Sequence, residues 1–171
     1  MHDQQTSPDP VMETITRAVG QWQESGDSAS ARERLLTLWA EIGVTGDAFH
    51  RCILAHYLAD LYDDPAEALI WDIRALDAAD AVPAQGVGGV QHGFNIASFR
   101  PSLYLNIADN LRQLGSFTAA VAHLDAATHD MHLLAEDAYG GLIRDGMKQV
   151  GQAITRGDCS RLGQSPASDS R

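Results

Sequence analysis

The chain contains very little lysine and cysteine, and it lacks any long apolar run. Lys148 is the only lysine among 171 residues, and the net charge is −11 with histidine neutral. Such a chain repels nucleic-acid phosphates, and no cluster of basic residues overrides the repulsion. The two cysteines, Cys52 and Cys159, form neither a disulfide framework nor a paired Cys-x-x-Cys zinc pattern. We therefore expect no nucleic-acid partner and no zinc site built from cysteine pairs.

Signals for membrane segments and for strands are also missing from the sequence. No stretch has the length and apolarity of a transmembrane helix, and residues 1–10 lack the basic and apolar parts of a signal peptide. No period-two alternation of useful length predicts a strand. With 44% hydrophobic residues, the chain is expected to form one folded, all-α, cytoplasmic domain without a membrane partner.

Cap residues and apolar stripes divide the chain into helices. We expect a flexible N-terminus over residues 1–8, a helical domain over 9–156 and a disordered tail over 157–171. Within the domain, helices are predicted at about 10–24, 30–42, 48–62 and 65–79, as a pair within 101–128, and at about 134–155. A long glycine-rich loop over 80–98 interrupts them, which is unusual inside a compact domain and often functional.

Four helix starts have a recognisable cap. Asp9 and Asp64 each precede a proline, which pairs a good N-cap acceptor with proline at the first helical position. Ser30 and Glu33 form a capping box, and Asp47 is expected to cap the third helix. That third helix is apolar nearly all round, so we expect it at the centre of the domain.

A helix–turn–helix segment over residues 104–127 carries a repeat signature. A large residue, an apolar–small pair, an apolar residue, a turn glycine and small–large–small positions follow one another. They are Tyr104, Ile107, Ala108, Leu111, Gly115, Ala120, Leu124 and Ala127. The pattern resembles the tetratricopeptide repeat, a pair of antiparallel helices that usually builds binding grooves. The small residues at 108, 120 and 127 are expected to let the helices approach closely.

Weaker copies of the pattern precede this segment. One runs through Cys52, Ala55, His56, Ala59, Ala68 and Ala75, and another through Trp22, Gly26, Ala31, Leu35 and Leu38. The alanines at positions 31, 68 and 120 are 37 and 52 residues apart, so the second interval contains the glycine-rich loop as an insertion. As a whole the chain is similar to small single-domain tetratricopeptide proteins of actinobacteria, through the stretches CILAHYLADLYDDPAEALIWDIRAL, SFRPSLYLNIADNLRQLG and DAYGGLIRDGMKQV.

The resemblance implies an all-α fold in which antiparallel helical hairpins stack as a tetratricopeptide-like right-handed array with a C-terminal capping helix. It also implies that the first helix of each hairpin lines a concave groove. The implied groove residues are His50, Tyr57 and Leu61 on the third helix and Ser102, Asn106, Asp109 and Gln113 on the fifth. We therefore expect a non-catalytic adaptor that binds a protein or peptide segment in this groove.

Charge limits what this groove binds. Relatives that grip a C-terminal carboxylate use lysine, arginine and asparagine, and here Asn106, Asn110 and Arg112 are available. The lysines are missing, however, and Asp60 and Asp109 add negative charge. A cationic or neutral polar partner therefore suits the groove better than a carboxylate. The alternative, that the polar row is only a solvated face, stays open.

His56 raises a different hypothesis. It stands where the repeat prefers a small residue, and Asp60, one helical turn further on, is placed to accept its proton. It is either a core histidine satisfied by hydrogen bonds or a general base or ligand-binding group. In the second case the chain is a small-molecule-binding protein or an enzyme, with a pocket of His56, Asp60, Tyr57 and His92 beneath the 80–98 loop and Arg100 in its lid.

The predictions define one set of binding residues and no catalytic residue, metal site or cofactor. The binding residues are His50, Tyr57, Asp60, His92, Arg100, Asn106, Asp109, Asn110 and Gln113, with His56 as the candidate functional histidine. Cys52 and His56 have the spacing of half a metal site, but a free cysteine usually packs in a core. Self-association into a homo-oligomer through the third or last helix also stays open.

Overall fold

The computed structural model describes residues 9–82, 90–91 and 94–163. Over these residues the predicted all-α fold is confirmed, because helices pack against their sequence neighbours as an array. The helices are α1 Pro10–Ser25, α2 Ser28–Ile42, α3 Ala48–Asp60, α4 Pro65–Ala81, α5 Ile96–Gln113, α6 Phe117–His129 and α7 Ala138–Thr155, with a 3-10 helix at Asp130–Leu133. None of the described helices combines the length and apolarity needed to span a bilayer.

Aspartate side chains cap three of the helices where the sequence predicts them. Asp9 Oδ1 accepts hydrogen bonds from the backbone N–H groups of Val11 and Met12 at 3.0 and 3.1 Å. Asp47 and Asp64 cap α3 and α4 by the same kind of bond. Each bond satisfies a backbone donor that the first helical turn leaves without a partner.

Three helices begin at other residues than predicted, and in two of them, α2 and α7, an aspartate cap sets the start. α2 starts at residue 28 because Asp27, rather than Ser30, is its N-cap: Asp27 accepts from the Ser30 N–H at 3.1 Å and from the Ser30 hydroxyl at 2.7 Å. α7 starts at residue 138 instead of near 134, since Asp137 accepts from the Gly140 N–H at 2.8 Å. In both cases an aspartate fixes the first turn.

The predicted loop over residues 80–98 is shorter in the structure. α4 extends into it, and α5 already starts at Ile96, more than a turn before the predicted start at Pro101. Asn95 caps α5 by accepting from the Ala97 N–H at 3.0 Å. Burial of Ile96 and Phe99 offsets the cost of a proline inside the helix.

Two short strands in this connection are not predicted from the sequence. β1, Val90–Gln91, pairs antiparallel with β2, Phe94–Asn95. Each strand has two residues, so the pair is a local hairpin and adds no layer to the domain. Positions 83–89 and 92–93, and with them the predicted site residue His92, lie outside the described residues.

α3 lies at the centre of the main core, as its apolar surface predicts. Cys52, Leu54, Ala55 and Leu58 on this helix are completely buried. Helices α1, α2, α4 and the N-terminal half of α5 pack around it. A second cluster joins the C-terminal half of α5 to α6 and α7. The domain therefore has two cores that share α5.

Small residues occupy the tight helix crossings. Ala108, Ala120 and Ala127 are completely buried, as predicted. On α4 the large residue Ile73 is 51% exposed, and mainly small residues are buried. The buried residues of α4 are Ala68, Trp71, Asp72, Ala75, Ala78 and Ala79. The physical reason is that α4 packs against both α3 and α5, and alanine side chains permit the closer approach.

The chain packs on the domain beyond the predicted end at residue 156. A disordered tail is predicted from 157, but buried Arg112 donates from Nη1 to the backbone oxygens of Asp158 at 2.6 Å and Ser160 at 2.8 Å. Leu162 packs against the second core. A buried guanidinium group needs several acceptors, and these carbonyl groups supply two of them. Residues 164–171 lie outside the described residues.

Candidate functional site

Two cavities lie along the same pair of helices, α3 and α5. One contacts Phe49 to Tyr57 of α3 and Phe99 of α5, and the other contacts Ala59 onwards and residues 106–113 of α5. Because both cavities meet the two helices in the same sequence order, α3 and α5 run parallel. The cavities are thus placed one after the other along these two helices. We name them the aromatic cavity and the acidic cavity.

The aromatic cavity has a volume of about 450 Å³ and a mostly apolar wall. Its lining residues come from four helices: Met12, Thr16, Phe49, Ile53, His56, Tyr57, Phe99 and Tyr139. The His56 and Phe99 rings meet edge to face, with centroids 4.7 Å apart, and the Tyr57 ring centroid lies 5.6 Å from that of His56. A cavity of this size and lining suits an apolar side chain or a small apolar molecule.

His56 has a buried ring nitrogen without a partner. No hydrogen bond reaches its Nδ1, which has almost no solvent contact. Burial lowers the pKa of His56, and the Asp60 carboxylate raises it, with the net shift downwards. The ring is therefore neutral at physiological pH. The sequence leaves open a core histidine whose ring is satisfied by hydrogen bonds. In the structure Nδ1 has no hydrogen-bond partner, and Asp60 affects the pKa of His56 only through its charge.

Two tyrosines at this cavity have phenol groups that stay protonated over the physiological range. Burial raises the pKa of Tyr57, and the Asp60 carboxylate raises it further. Burial also raises the pKa of Tyr139, against a hydrogen bond with Ser102 that lowers it. Both phenols are therefore neutral, and the Tyr57 hydroxyl group is a hydrogen-bond donor at the aromatic cavity.

The acidic cavity is smaller, about 230 Å³, and its wall is mostly polar. Its lining residues are Ala59, Asp60, Tyr62, Ala68, Asp72, Asn106, Asp109, Asn110, Gln113, Arg161 and Leu162. They come from the end of α3, the start of α4, the second half of α5 and the segment after α7. Carboxylates and side-chain amides dominate this set, so the cavity offers mainly hydrogen-bond acceptors and amide groups.

Asp72 is the least satisfied group of the acidic cavity. It is 1% exposed; its Oδ2 accepts a hydrogen bond from Asn110 Nδ2 at 2.7 Å, and no hydrogen bond reaches Oδ1. Burial raises the pKa of Asp72 well above its usual value, and the nearby charge of Asp60 raises it further, while Asn106 and Asn110 lower it. The Asn106 side chain interacts with the Asp72 carboxyl group and lowers its pKa, but no hydrogen bond of good geometry reaches Oδ1, so this oxygen is an open acceptor.

The other acids of the cavity differ from Asp72. Asp109 is already paired, since Oδ1 accepts from Arg112 Nε at 2.8 Å and Oδ2 from Gln113 Nε2 at 2.9 Å. Asp60 is exposed as a whole residue, yet partial burial of its carboxyl group raises its pKa and His56 lowers it. Asp60 therefore contributes negative charge at the mouth, whereas Asp109 is largely neutralised by its arginine.

The structure brings most of the predicted binding residues to these two cavities. Tyr57 and the candidate histidine His56 line the aromatic cavity. The other five that it brings together line the acidic cavity: Asp60, Asn106, Asp109, Asn110 and Gln113. The spacing of polar residues along α5 is thus sufficient to place the four residues of that helix on one face.

Two predicted binding residues lie elsewhere. His50 Nε2 is 2.7 Å from Asp9 Oδ2, so this histidine ties the start of α1 to α3. Arg100 binds Asp80, Asp130 and Tyr104, which links α4, the 3-10 helix and α5. Both side chains serve long-range contacts that a single-helix pattern does not reveal.

Two groove positions implied by the repeat resemblance are also placed differently. Leu61 is 4% exposed and belongs to the main core. Ser102 is 4% exposed and donates its hydroxyl to the Phe99 backbone oxygen at 2.7 Å. Neither residue is available to a ligand at the surface. His92 lies outside the described residues, so its predicted role stays a prediction.

Sequence reasoning missed several residues that define the cavities. Asp72 stands on the alanine stripe of α4, and an aspartate among small buried residues was the signal that identifies it. Tyr139 lies on α7 and Arg161 in the segment after it. No local sequence pattern predicts that either residue lines a cavity. Such residues depend on tertiary packing rather than on helix periodicity.

Other features of the described residues do not converge in this way. A cavity of about 430 Å³ lies between α1 and α2, but there Arg34 donates to Gln21 and Ser30 donates to Asp27. None of the buried unpartnered side-chain atoms found in the described chain belongs to its lining. Within the same residues, no group of three or more histidine, cysteine or acidic side chains has a metal-binding arrangement.

Comparisons with known proteins add no relative to this picture. No protein-family model, no curated protein and no solved structure matches the chain.

Proposed function

We propose that this protein is a non-catalytic adaptor that binds an extended peptide segment along α3 and α5. The observation that carries the proposal is the pair of cavities in one line on the same two parallel helices. One cavity is apolar and the other polar, which is the combination that a peptide needs for alternate side chains. The resemblance to tetratricopeptide repeats, whose first helices line a groove, agrees with this proposal.

The side-chain amides of the acidic cavity support a peptide ligand. Asn106, Asn110 and Gln113 lie on one face of α5 in the acidic cavity. An amide group both donates and accepts, so it matches the alternating N–H and C=O groups of an extended backbone. Binding through such groups fixes the peptide in place without requiring one particular sequence along its whole length.

The placement of His56 and Asp60 favours binding over catalysis. His56 lines the aromatic cavity, whereas Asp60 lines the acidic one. A general base and the carboxylate that orients it must meet at one substrate. Here the two groups line different cavities and do not converge on one. This arrangement supports a groove with two kinds of subsite.

Peptide display with the purified protein as bait tests the proposal. Selected peptides would be synthesised with a fluorophore and titrated by fluorescence anisotropy against the wild type and a Tyr57→Ala, Asn106→Ala double variant. We expect micromolar binding to the wild type and at least a tenfold weaker affinity in the double variant, because each substitution removes a group from one of the cavities.

The matched control is an Ile73→Ala, Val121→Ala double variant. Both side chains are exposed and neither lines a cavity, so the affinity should stay within about twofold of wild type. Selected peptides that bind both double variants like the wild type would overturn the proposal and move the interface to another surface.

A small-molecule ligand is the second candidate function, and one observation favours it. The aromatic cavity has the volume of a small-ligand pocket and contains the unpartnered Nδ1 of His56. In that case an apolar fragment with a hydrogen-bonding group would bind in the aromatic cavity. The Asn106→Ala substitution would then leave the affinity for this fragment unchanged. Binding that depends on both Tyr57 and Asn106 distinguishes the peptide groove from this alternative.

A further inference from the structure

We infer that the acidic cavity receives one arginine or lysine side chain of the bound peptide, and that an apolar side chain about two positions away enters the aromatic cavity. This inference rests on the proposed peptide-binding function and names its recognition rule. It is carried by the open acceptor of Asp72, the charges around it and the geometry of α3 and α5.

The open acceptor calls for a donor with positive charge. Asp72 is almost completely buried, and of its two carboxylate oxygens only Oδ2 accepts a hydrogen bond, from Asn110. Buried carboxylates in proteins are normally paired or fully hydrogen-bonded. A guanidinium or ammonium group supplies both the missing donor and the missing charge, and such charge-assisted bonds are stronger than neutral ones.

The charges around Asp72 point to the same ligand. Asp60 adds negative charge at the mouth, while Asp109 is neutralised by Arg112. The cationic group of Arg161, on the cavity wall, is bound at 2.8 Å to Asp63, which does not line the cavity. With the whole chain at −11, an acidic side chain would be repelled here and a basic one attracted.

The size of the cavity limits the ligand to a single side chain. At about 230 Å³ it is smaller than the usual pocket for a complete small molecule. A long, flexible basic side chain enters such a pocket with its methylene groups along Ala59, Ala68 and Leu162, and places its charged end at the acids.

Helix geometry sets the distance between the two subsites. On α3 they are separated by the step from His56 to Asp60, and on α5 by the step from Phe99 to Asn106. At a rise of about 1.5 Å per residue these steps span roughly 6–10 Å. An extended peptide advances about 3.3 Å per residue, so about two to three positions cover this distance, and side chains about two positions apart project from the same face of an extended chain.

Labelled synthetic peptides test this recognition rule. Each contains one arginine and one phenylalanine in a glycine–serine background, separated by roughly one to six positions, and is titrated by fluorescence anisotropy. We expect the tightest binding near a separation of about two. Replacing the arginine with norleucine or glutamate is expected to weaken binding at least tenfold, and replacement by lysine only severalfold.

Isosteric variants of the protein locate the arginine. Asp72→Asn is expected to lower the affinity for the arginine peptide at least tenfold while leaving the norleucine peptide unchanged. Asp77→Asn, the same substitution at an exposed residue of the same helix, should leave both affinities within about twofold. Asp60→Asn, at the mouth, should give an intermediate loss that weakens at high salt.

The results separate this inference from the proposed function. Equal losses for Asp72→Asn and Asp77→Asn, or display-selected peptides that bind the groove but contain no basic residue, overturn the inference and leave the adaptor function standing. If no peptide, basic or not, binds the groove, the proposed function itself fails. A preference for the arginine peptide that disappears only in Asp72→Asn and weakens in Asp60→Asn supports the recognition rule.

Discussion

Arg112 and Asp72 are both charged and both buried, yet the fold treats them in opposite ways. Arg112 is 0% exposed and binds Asp109 and the backbone oxygens of Asp158 and Ser160. Its Nη2 lies 2.7 Å from Asp109 Oδ1, within ion-pair distance although outside good hydrogen-bond geometry. The guanidinium group is thus held on several sides by the protein itself.

Asp72 lies on the neighbouring helix, and its carboxylate has one hydrogen-bond partner. A buried charge with several partners stabilises one arrangement of the chain, whereas one with an unused oxygen costs stability that a ligand can recover. On the proposal above, the Arg112 charge is structural and the Asp72 carboxyl group binds the ligand. Changes at each residue should move stability in opposite directions.

Replacing Arg112 should have the largest effect on stability. In Arg112→Met the Asp109 carboxylate and the carbonyl groups of Asp158 and Ser160 lose their donor. Breaking a buried charge pair on one side costs about 3–5 kcal/mol, so we expect a loss of that size in the free energy of unfolding. Urea denaturation followed by circular dichroism measures it.

Arg112→Lys is the matched control, because it keeps the charge but not the fork of donors. An intermediate loss is expected, since an ammonium group does not reach the two carbonyl oxygens and Asp109 together. If Arg112→Met changed the free energy of unfolding by less than about 1 kcal/mol, the structural role assigned to this residue would be wrong.

Replacing Asp72 should have a smaller effect of opposite sign. Asp72→Asn keeps the shape and the bond with Asn110 and removes the cost of ionising a buried carboxyl group. We expect the variant to be more stable than wild type by about 1–2 kcal/mol at neutral pH. Its affinity for basic peptides should fall at the same time, which would identify stability given up for binding.

The pH dependence of this gain follows from the raised pKa of Asp72. The folded state holds the Asp72 proton more tightly than the unfolded chain, whose pKa is near 3.8. The stability due to this group is complete below that value and is lost as the pH rises through the folded pKa. The difference between Asp72→Asn and wild type should therefore grow from acid towards neutral pH. A difference that shrinks over this range contradicts the assignment.

The sequence predicts the helices of this fold better than the contacts between them. Helix periodicity and aspartate caps locate α1, α3 and α4, because both signals are local to a few residues. Starts set by another cap are displaced, slightly at Asp27 and by more than a turn at Asn95. The path of residues 158–162 over Arg112 has no local signal, because long-range hydrogen bonds determine it.

The candidate site was predictable to the extent that it follows a single helix face. Asn106, Asn110 and Gln113 share a face of α5, and periodicity alone places them together. His50 and Arg100 were misplaced because their charged partners, Asp9 and Asp80, are far away in sequence. Whether such a side chain faces a ligand or a distant ion-pair partner depends on tertiary packing.

His56 provides a third buried polar group, with a smaller expected effect. Burial depresses its folded pKa below the unfolded value of 6.5, so the stability due to this group is complete above 6.5 and is lost as the pH falls through the folded pKa. His56→Leu should therefore gain stability relative to wild type by roughly 1 kcal/mol as the pH falls from about 7 to about 5. Urea denaturation at a series of pH values measures this difference.

His129→Gln is the control for this titration, because the His129 side chain is exposed. Its pH profile should follow that of wild type. If His56→Leu and wild type lose stability in parallel below pH 6.5, then His56 is not the buried neutral group that its surroundings indicate.

Replacing Arg161 should have the smallest effect on stability and should still change the affinity for a basic peptide. Its ion pair with Asp63 lies at the surface, with the two side chains 49% and 95% exposed, so Arg161→Ala should change the free energy of unfolding by less than about 0.5 kcal/mol.

Arg161 nevertheless lines the acidic cavity, and its removal leaves Asp60 and Asp72 with less positive charge nearby. The affinity for an arginine peptide should therefore rise by about two- to fivefold at low salt, and Arg156→Ala, which removes a charge outside the cavity, should not have this effect. If Arg161→Ala weakened peptide binding instead, Arg161 itself would contact the ligand, and the preferred side chain would be acidic rather than basic.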